Sequence, residues 1–106
     1  MSLRPLTAQE RTAALAKAAA ARTTRAAVKH KLKTGTATVA EVLTAGDGDE
    51  AIGRLKTSEL LEALPGIGKV RATVIMNKVG ISPTRRLRGL GIHQRRALID
   101  FLGQGS

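Results

Sequence analysis

Leu64-Pro65-Gly66-Ile67-Gly68-Lys69-Val70-Arg71-Ala72 is the stretch whose residue types and spacing best suit a chemistry, the capture of an anion. Proline lacks an N–H and disfavours an α conformation at the residue before it, while the two glycines can take the φ > 0 geometry of a tight reversal. The stretch is therefore predicted to be a hairpin between helices over 58–63 and 69–79. It offers the backbone N–H groups of Gly66, Ile67, Gly68 and Lys69 at the start of a helix, where unsatisfied donors and the macrodipole favour negative charge. Without a Cβ on either glycine, a phosphate can approach the main chain. Lys69 and Arg71 stand on the first turn, where positive charge opposes the helix but favours a bound phosphate. A second cluster, Arg85, Arg86 and Arg88, has only Leu87 as an apolar anchor. Guanidinium forks match phosphate oxygens well.

Other chemistries are poorly supplied. The chain has no cysteine, which removes disulfides, thiolates and cysteine-bound zinc. Asp47-Gly48-Asp49-Glu50 lacks the further ligands of a calcium loop. His30 and His93 have no partner pattern and are expected at the surface. The last 42 residues contain one carboxylate, Asp100, whereas metal-assisted hydrolysis needs clustered ligands. No enzyme, cofactor, metal or small-molecule substrate is expected.

The charge balance points the same way. The formal net charge is +10 over 106 residues, with pI ≈ 11.4, which calls for a polyanionic partner. Residues 1–33 hold eight Lys/Arg and one acid, 34–64 two and six, and 65–106 eight and one. Two basic ends thus flank an acidic middle. Phe101 is the only aromatic residue, so the stacking platforms of single-strand binders are missing and a duplex backbone fits better. No apolar run approaches a signal segment or a membrane span, so an intracellular protein without a membrane partner is expected.

The elements that must position these groups are helical. Residues 1–6 are expected to be a flexible lead. Thr7-Ala8-Gln9-Glu10 has the form of a capping box, and residues from Ala8 to Lys33, without Pro or Gly, are rich in helix formers. That helix would be about 39 Å long at 1.5 Å per residue. Its inward candidates are Ala14, Ala18, Ala21, Val28 and Leu32. Only the last are bulky, so the C-terminal part should pack and the alanine-rich part project. Arg11, Lys17, Arg22, Arg25, Lys29, Lys31 and Lys33 cover much of the rest, a candidate phosphate-contacting arm. Thr38-Val39-Ala40-Glu41 repeats the capping box ahead of a short helix, with Val39, Val42 and Leu43 inward and Gly46 as its stop. Asp49 and Glu50 begin another short turn, and Leu60, Leu61 and Leu64 follow.

After the hairpin, Ala72, Ile75, Met76 and Val79 mark one helix face at i, i+3, i+4 and i+7. Val70 and Val74 mark another, which predicts a helix wedged centrally and ended by Gly80. The last helix, from Ile92, should turn Ala97, Leu98, Phe101 and Leu102 inward and His93, Arg95 and Arg96 outward.

The hairpin residues resemble the helix-hairpin-helix element of sequence-independent DNA-binding proteins. Taken with Gly53-Arg54-Leu55-Lys56, Leu60-Leu61-Glu62-Ala63 and Pro83-Thr84-Arg85-Arg86-Leu87-Arg88-Gly89-Leu90-Gly91, they resemble the actinobacterial integration host factor family, from Leu6 through Phe101. The resemblance implies an all-α fold, with a long N-terminal helix (7–33) and a helix-two-turns-helix core (34–106) like part of ribosomal protein S13, in one domain overall. It also implies a nucleoid-associated protein that binds and bends double-stranded DNA, distinct in fold from the β-armed proteins that share the name. Carried over position by position, Pro65, Gly66, Ile67, Gly68, Lys69 and Arg71 make the hairpin contact, and Arg85, Arg86 and Arg88 a second backbone clamp. Secondary contacts are expected from Arg22, Arg25, Lys29, Lys33, Arg95 and Arg96. Ile92 stands where the family pattern has a polar residue, leaving the last helix without an evident cap. The protein is expected to be a monomer in solution, and a structured ribosomal-type RNA is the alternative partner.

Overall fold

Thr7 opens the first helix as a reciprocal cap. Its hydroxyl accepts from the Glu10 N–H at 3.0 Å, and the Glu10 carboxylate accepts from the Thr7 N–H at 3.3 Å. In the computed structural model, which describes residues 5–103, helix α1 then runs unbroken over Ala8–Thr34 and stops at Gly35. Residues 1–4 of the expected lead lie outside the described residues. Pro5 and Leu6 are exposed. The same device at Thr38 and Glu41 starts α2, Val39–Gly48, with bonds of 2.9 and 3.1 Å. Next come α3 (Glu50–Gly53), α4 (Thr57–Ala63), α5 (Lys69–Val79), a 3₁₀ turn at Leu87–Gly89 and α6 (Ile92–Leu102). Among the described residues there is no strand, only one isolated bridge between Lys56 and Arg86. The all-α expectation holds.

The core takes something from every element: Leu32 from α1, Val39, Val42 and Leu43 from α2, Ile52, Leu60 and Leu61, then Ile75, Met76 and Leu98. Each fully buried leucine contributes on the order of 1.5–3 kcal/mol. Helix α1 joins this core only through its last turns. Leu32 is buried and Val28 half-buried, Ala18 and Ala21 are half-buried, and Ala14 is exposed. The inward stripe therefore starts one turn later than the alanine spacing suggests. A lone alanine has too little apolar area to hold the helix down.

Three further differences follow from packing. Gly46 does not end α2; it is buried inside it, and the helix continues to Gly48. Its role is close approach: a Cβ on Gly53 would lie 2.7 Å from the Gly46 carbonyl oxygen, so α2 and α3 touch through bare backbone. Helix α5 is not apolar on two buried sides, because Val70 and Val74 face solvent while Ala72, Ile75 and Met76 fill the core. On α6 only Leu98 is buried, with Ile99 and Leu102 packed beside it. Phe101 is 51% exposed, and Ala97 is exposed too. The turning point of α6 is thus one residue from the expected stripe.

Arg95 explains much of that shift. Its guanidinium donates to both carboxylate oxygens of Asp47, at 2.8 and 2.9 Å, and to the carbonyls of Leu90 and Leu43 at 3.2 and 3.4 Å. It therefore points into the fold and braces α6 against α2. These bonds hold the Asp47 carboxyl below its ordinary value of 3.8, the hydrogen bond to Arg95 being the larger cause and its positive charge the lesser. A carboxylate depressed on folding contributes stability above its unfolded pKa and loses it as pH falls through the folded one. Melting curves taken from neutral pH down through the carboxylate range should therefore show the wild type above Asp47→Asn at neutral pH and the gap narrowing once the pH falls below 3.8. Parallel curves across the range would remove the brace.

The missing cap of α6 is replaced from inside the helix. Gln94 accepts from the Gly91 N–H through Oε1 at 3.1 Å and donates through Nε2 to the Gly80 carbonyl at 3.1 Å. One side chain thereby caps α6 and ties it to the end of α5.

Candidate nucleic-acid interface

The hairpin forms as its residue types require, with one economy. Leu64 is extended ahead of Pro65, and the Ile67 N–H donates to the Leu64 carbonyl at 3.2 Å. Pro65 and Gly66 occupy the two central positions, and Gly66 has φ +77, the pattern of a type II turn. Gly68 does not use the left-handed region. It is extended, with φ −95 and ψ −173, and serves as the N-cap of α5 without a side chain to offer.

That changes which amides are available. The Ile67 N–H is spent inside the turn, and its half-buried side chain anchors the corner to the core. The first intrahelical bond of α5 is the Ala72 N–H to the Gly68 carbonyl at 2.9 Å. The N–H groups of Lys69, Val70 and Arg71 consequently have no helical acceptor, and no side chain among the described residues caps them. Pro65, Gly66, Gly68, Lys69 and Arg71 are all exposed. Neither Lys69 nor Arg71 has an ion pair among the described residues. Lys33, at the end of α1, lines the same hollow as Glu62, Pro65, Gly66 and Gly68.

The arginine cluster sits elsewhere, at the other end of α4. The fully buried Thr57 donates to the Arg85 carbonyl twice, through N–H and through Oγ1, each at 2.9 Å. The Leu87 N–H donates to the Leu55 carbonyl at 2.9 Å, and Leu87 is buried as the anchor. This short antiparallel clasp holds Arg85, Arg86 and Arg88 outward at the N-terminal end of α4. The hairpin leaves from its C-terminal end, about 10 Å away for a helix of this length. Arg86 donates through Nη1 to the Arg54 carbonyl, and Arg85 through Nη1 to the Gly89 carbonyl at 3.4 Å. None of the three arginines pairs with a carboxylate among the described residues.

Sequence reasoning missed two residues that shape this surface, one beneath it and one on it. Thr57 reads as an ordinary helix-start residue, and only its contact with a carbonyl 28 positions away gives it a positioning task. Lys56 lies across the bridge from Arg86 and is exposed. The Gly53-Arg54-Leu55-Lys56 block carried the only hint.

The remaining cations divide. Arg22, Lys33 and Arg96 are exposed and without an ion pair among the described residues. Arg25 donates to the Ala51 carbonyl at 3.3 Å, Lys29 pairs with Glu59 at 3.6 Å, and Arg95 is held by Asp47. Arg22, Arg25, Arg54 and Arg86 line one open groove of about 610 Å³ between α1 and α3, so the middle of α1 borders the arginine cluster while its end borders the hairpin. His30 and His93 are exposed. No group of metal-binding side chains and no helix able to cross a membrane occurs among the described residues.

Comparison with known proteins bears on the chain as a whole. Residues 32–101 match the S13-like H2TH domain family. The chain is 53% identical to the integration host factor of Mycolicibacterium smegmatis over 98% of its own length and 99% of that protein's. It is 54% identical to the integration host factor of Streptomyces coelicolor over 92% of both. A solved structure of sIHF bound to an 8-base-pair palindromic DNA superposes with a TM-score of 0.79 at 52% identity, covering 80% of this chain and 96% of that one. With near-complete alignment to named members and the helix-two-turns-helix core in place, the chain belongs to the actinobacterial integration host factor family.

Proposed function

We propose that this protein binds double-stranded DNA with little dependence on sequence and bends or compacts it in the nucleoid, serving integration, recombination and chromosome organisation. One observation carries the reading: an uncapped helix start with Lys69 and Arg71 exposed on its first turn. Backbone amides and guanidinium groups hold phosphates and carry no sequence information. Pro65, Gly66, Gly68, Lys69 and Arg71 form the first grip, with Ile67 as its anchor, and Arg85, Arg86 and Arg88 form the second. Arg22, Lys33 and Arg96 add to them, while Arg25, Lys29 and Arg95 serve mainly within the fold. The relative bound to an 8-base-pair duplex supports DNA as the polyanion.

Two grips at opposite ends of α4 hold the duplex at separate places, and added contacts offset an elastic bending cost on the order of 1–6 kcal/mol. The arm of 7–33, carried on a core of 34–106, contributes the flanking charge. The protein works as a monomer in the cytoplasm, on DNA alone, and catalyses nothing. The S13-like character of the domain supports structured RNA as the competing partner. Mobility shifts of duplex DNA across a salt series, with structured RNA as competitor, test both. If about six phosphates are neutralised, log affinity falls against log salt with a slope near −5. Salt-independent binding, or a clear preference for RNA, would overturn the reading.

A further inference from the structure

Val70 is the most exposed of the large apolar side chains described, at 81%. It is the second residue of α5, between Lys69 and Arg71, and its own N–H is among those without an acceptor. Local helix energetics do not favour it there. The first turn prefers acidic residues, and a β-branched side chain is a weak helix former. Leu15 and Ile92 are exposed nearly as much, at 70% and 71%, but neither stands beside an uncapped helix start flanked by two cations without an ion pair among the described residues. An apolar side chain in the middle of a phosphate-binding surface needs a partner that is charged at its rim and apolar within. Duplex DNA has that profile, with phosphates outside and stacked base faces within, which open to an apolar side chain where a step unstacks.

We propose that Val70 is a wedge, seated against the minor-groove edge of one base step when the amides of α5 and the Lys69 and Arg71 side chains hold the adjoining phosphates. Apolar side chains inserted at a base step unstack it partly and kink the duplex toward the major groove. The valine then converts a phosphate grip into a bend at a defined point. Val74, one turn further along the same face and 47% exposed, lies too far from the helix start to reach the step and supports the groove wall. This inference rests on the DNA-binding reading above.

The test uses the full chain and a duplex carrying 2-aminopurine at successive steps, with end-labels for energy transfer. The wild type is expected to raise the 2-aminopurine signal at one step and to shorten the end-to-end distance. Val70→Ala should bind about tenfold more weakly, keep the wild-type salt slope and lose both signals, whereas Val70→Leu should keep them. Helix content by circular dichroism should be the same in all three. Val70→Ala that binds and still bends the duplex would overturn the wedge and leave the DNA-binding reading intact. A wild type that fails to bind duplex would overturn both. A concentration-dependent dimer that disappears in Val70→Ala would assign the valine to a second copy of the chain and overturn the wedge.

Discussion

Replacing Arg85, Arg86 and Arg88 together with alanine is expected to weaken duplex binding by about a hundredfold at moderate salt, and by the same factor on every sequence. The three side chains are exposed and unpaired by acids among the described residues, so their charge is not neutralised within the fold. Removing a single phosphate-binding cation should reduce the salt slope by about 1, which leaves a slope of about −2 for the triple variant if the intact protein neutralises about six phosphates. The clasp that positions the loop survives the substitution, because it uses the Arg85 carbonyl, the Leu87 N–H and the buried Thr57. Arg86 also donates to the Arg54 carbonyl, an exposed acceptor that water can satisfy. Thermal stability should therefore change little. Titration of unrelated duplexes by fluorescence anisotropy checks the prediction. A defect confined to one preferred sequence would mean that these arginines read bases instead of gripping the backbone.

The second large effect falls on folding. Gly53→Ala should destabilise the protein by roughly 2–3 kcal/mol, in the range of overpacking a close backbone contact, and lower the melting midpoint by about 10–20 °C. The added methyl would lie 2.7 Å from the Gly46 carbonyl oxygen and 3.2 Å from Arg88 Cβ. Neither can give way cheaply, since one is main chain inside α2 and the other begins the side chain of a loop pinned at Leu87. Gly46→Ala makes the informative contrast. Its methyl would meet Gly53 Cα at 3.4 Å, near ordinary contact, and alanine favours the helix by about 1 kcal/mol. Differential scanning calorimetry should show a large downward shift for the first and a small one for the second. Equal shifts would mean that the two helices do not meet through these glycines. Because Gly53 adjoins Arg88, its replacement should also disturb the arginine cluster, which a binding assay on the folded fraction would reveal.

Much of the design was open to inspection in the one-dimensional chain. Capping boxes at Thr7 and Thr38 are local devices, closed within four residues, and both form as read. The ends of α1 and α5 at Gly35 and Gly80 are equally local. The hairpin at Pro65-Gly66 follows from the missing N–H of one residue and the missing Cβ of the other. Net charge and its division into two basic ends required only counting. These features gave away the helical class, the hairpin corner and the excess of positive charge, because each depends on residues near in sequence or on a sum over all of them.

What only the tertiary structure decided depends on distance across the fold. No local rule distinguishes Arg95, drawn inward by Asp47 from 48 positions away, from Arg96 beside it, which stays in solvent. Thr57 gains its task from the Arg85 carbonyl, and Gly46 gains its task from Gly53, which the turn after α2 brings back against it. The apolar period of α5 predicts cover on both faces, and only one receives it. Neighbouring helices cover the Ala72, Ile75 and Met76 side and leave Val70 in water. Burial and ion pairing are properties of what another segment brings near. The chain alone therefore named the charges and the corner, and the packed molecule determined which of those charges remain free to bind.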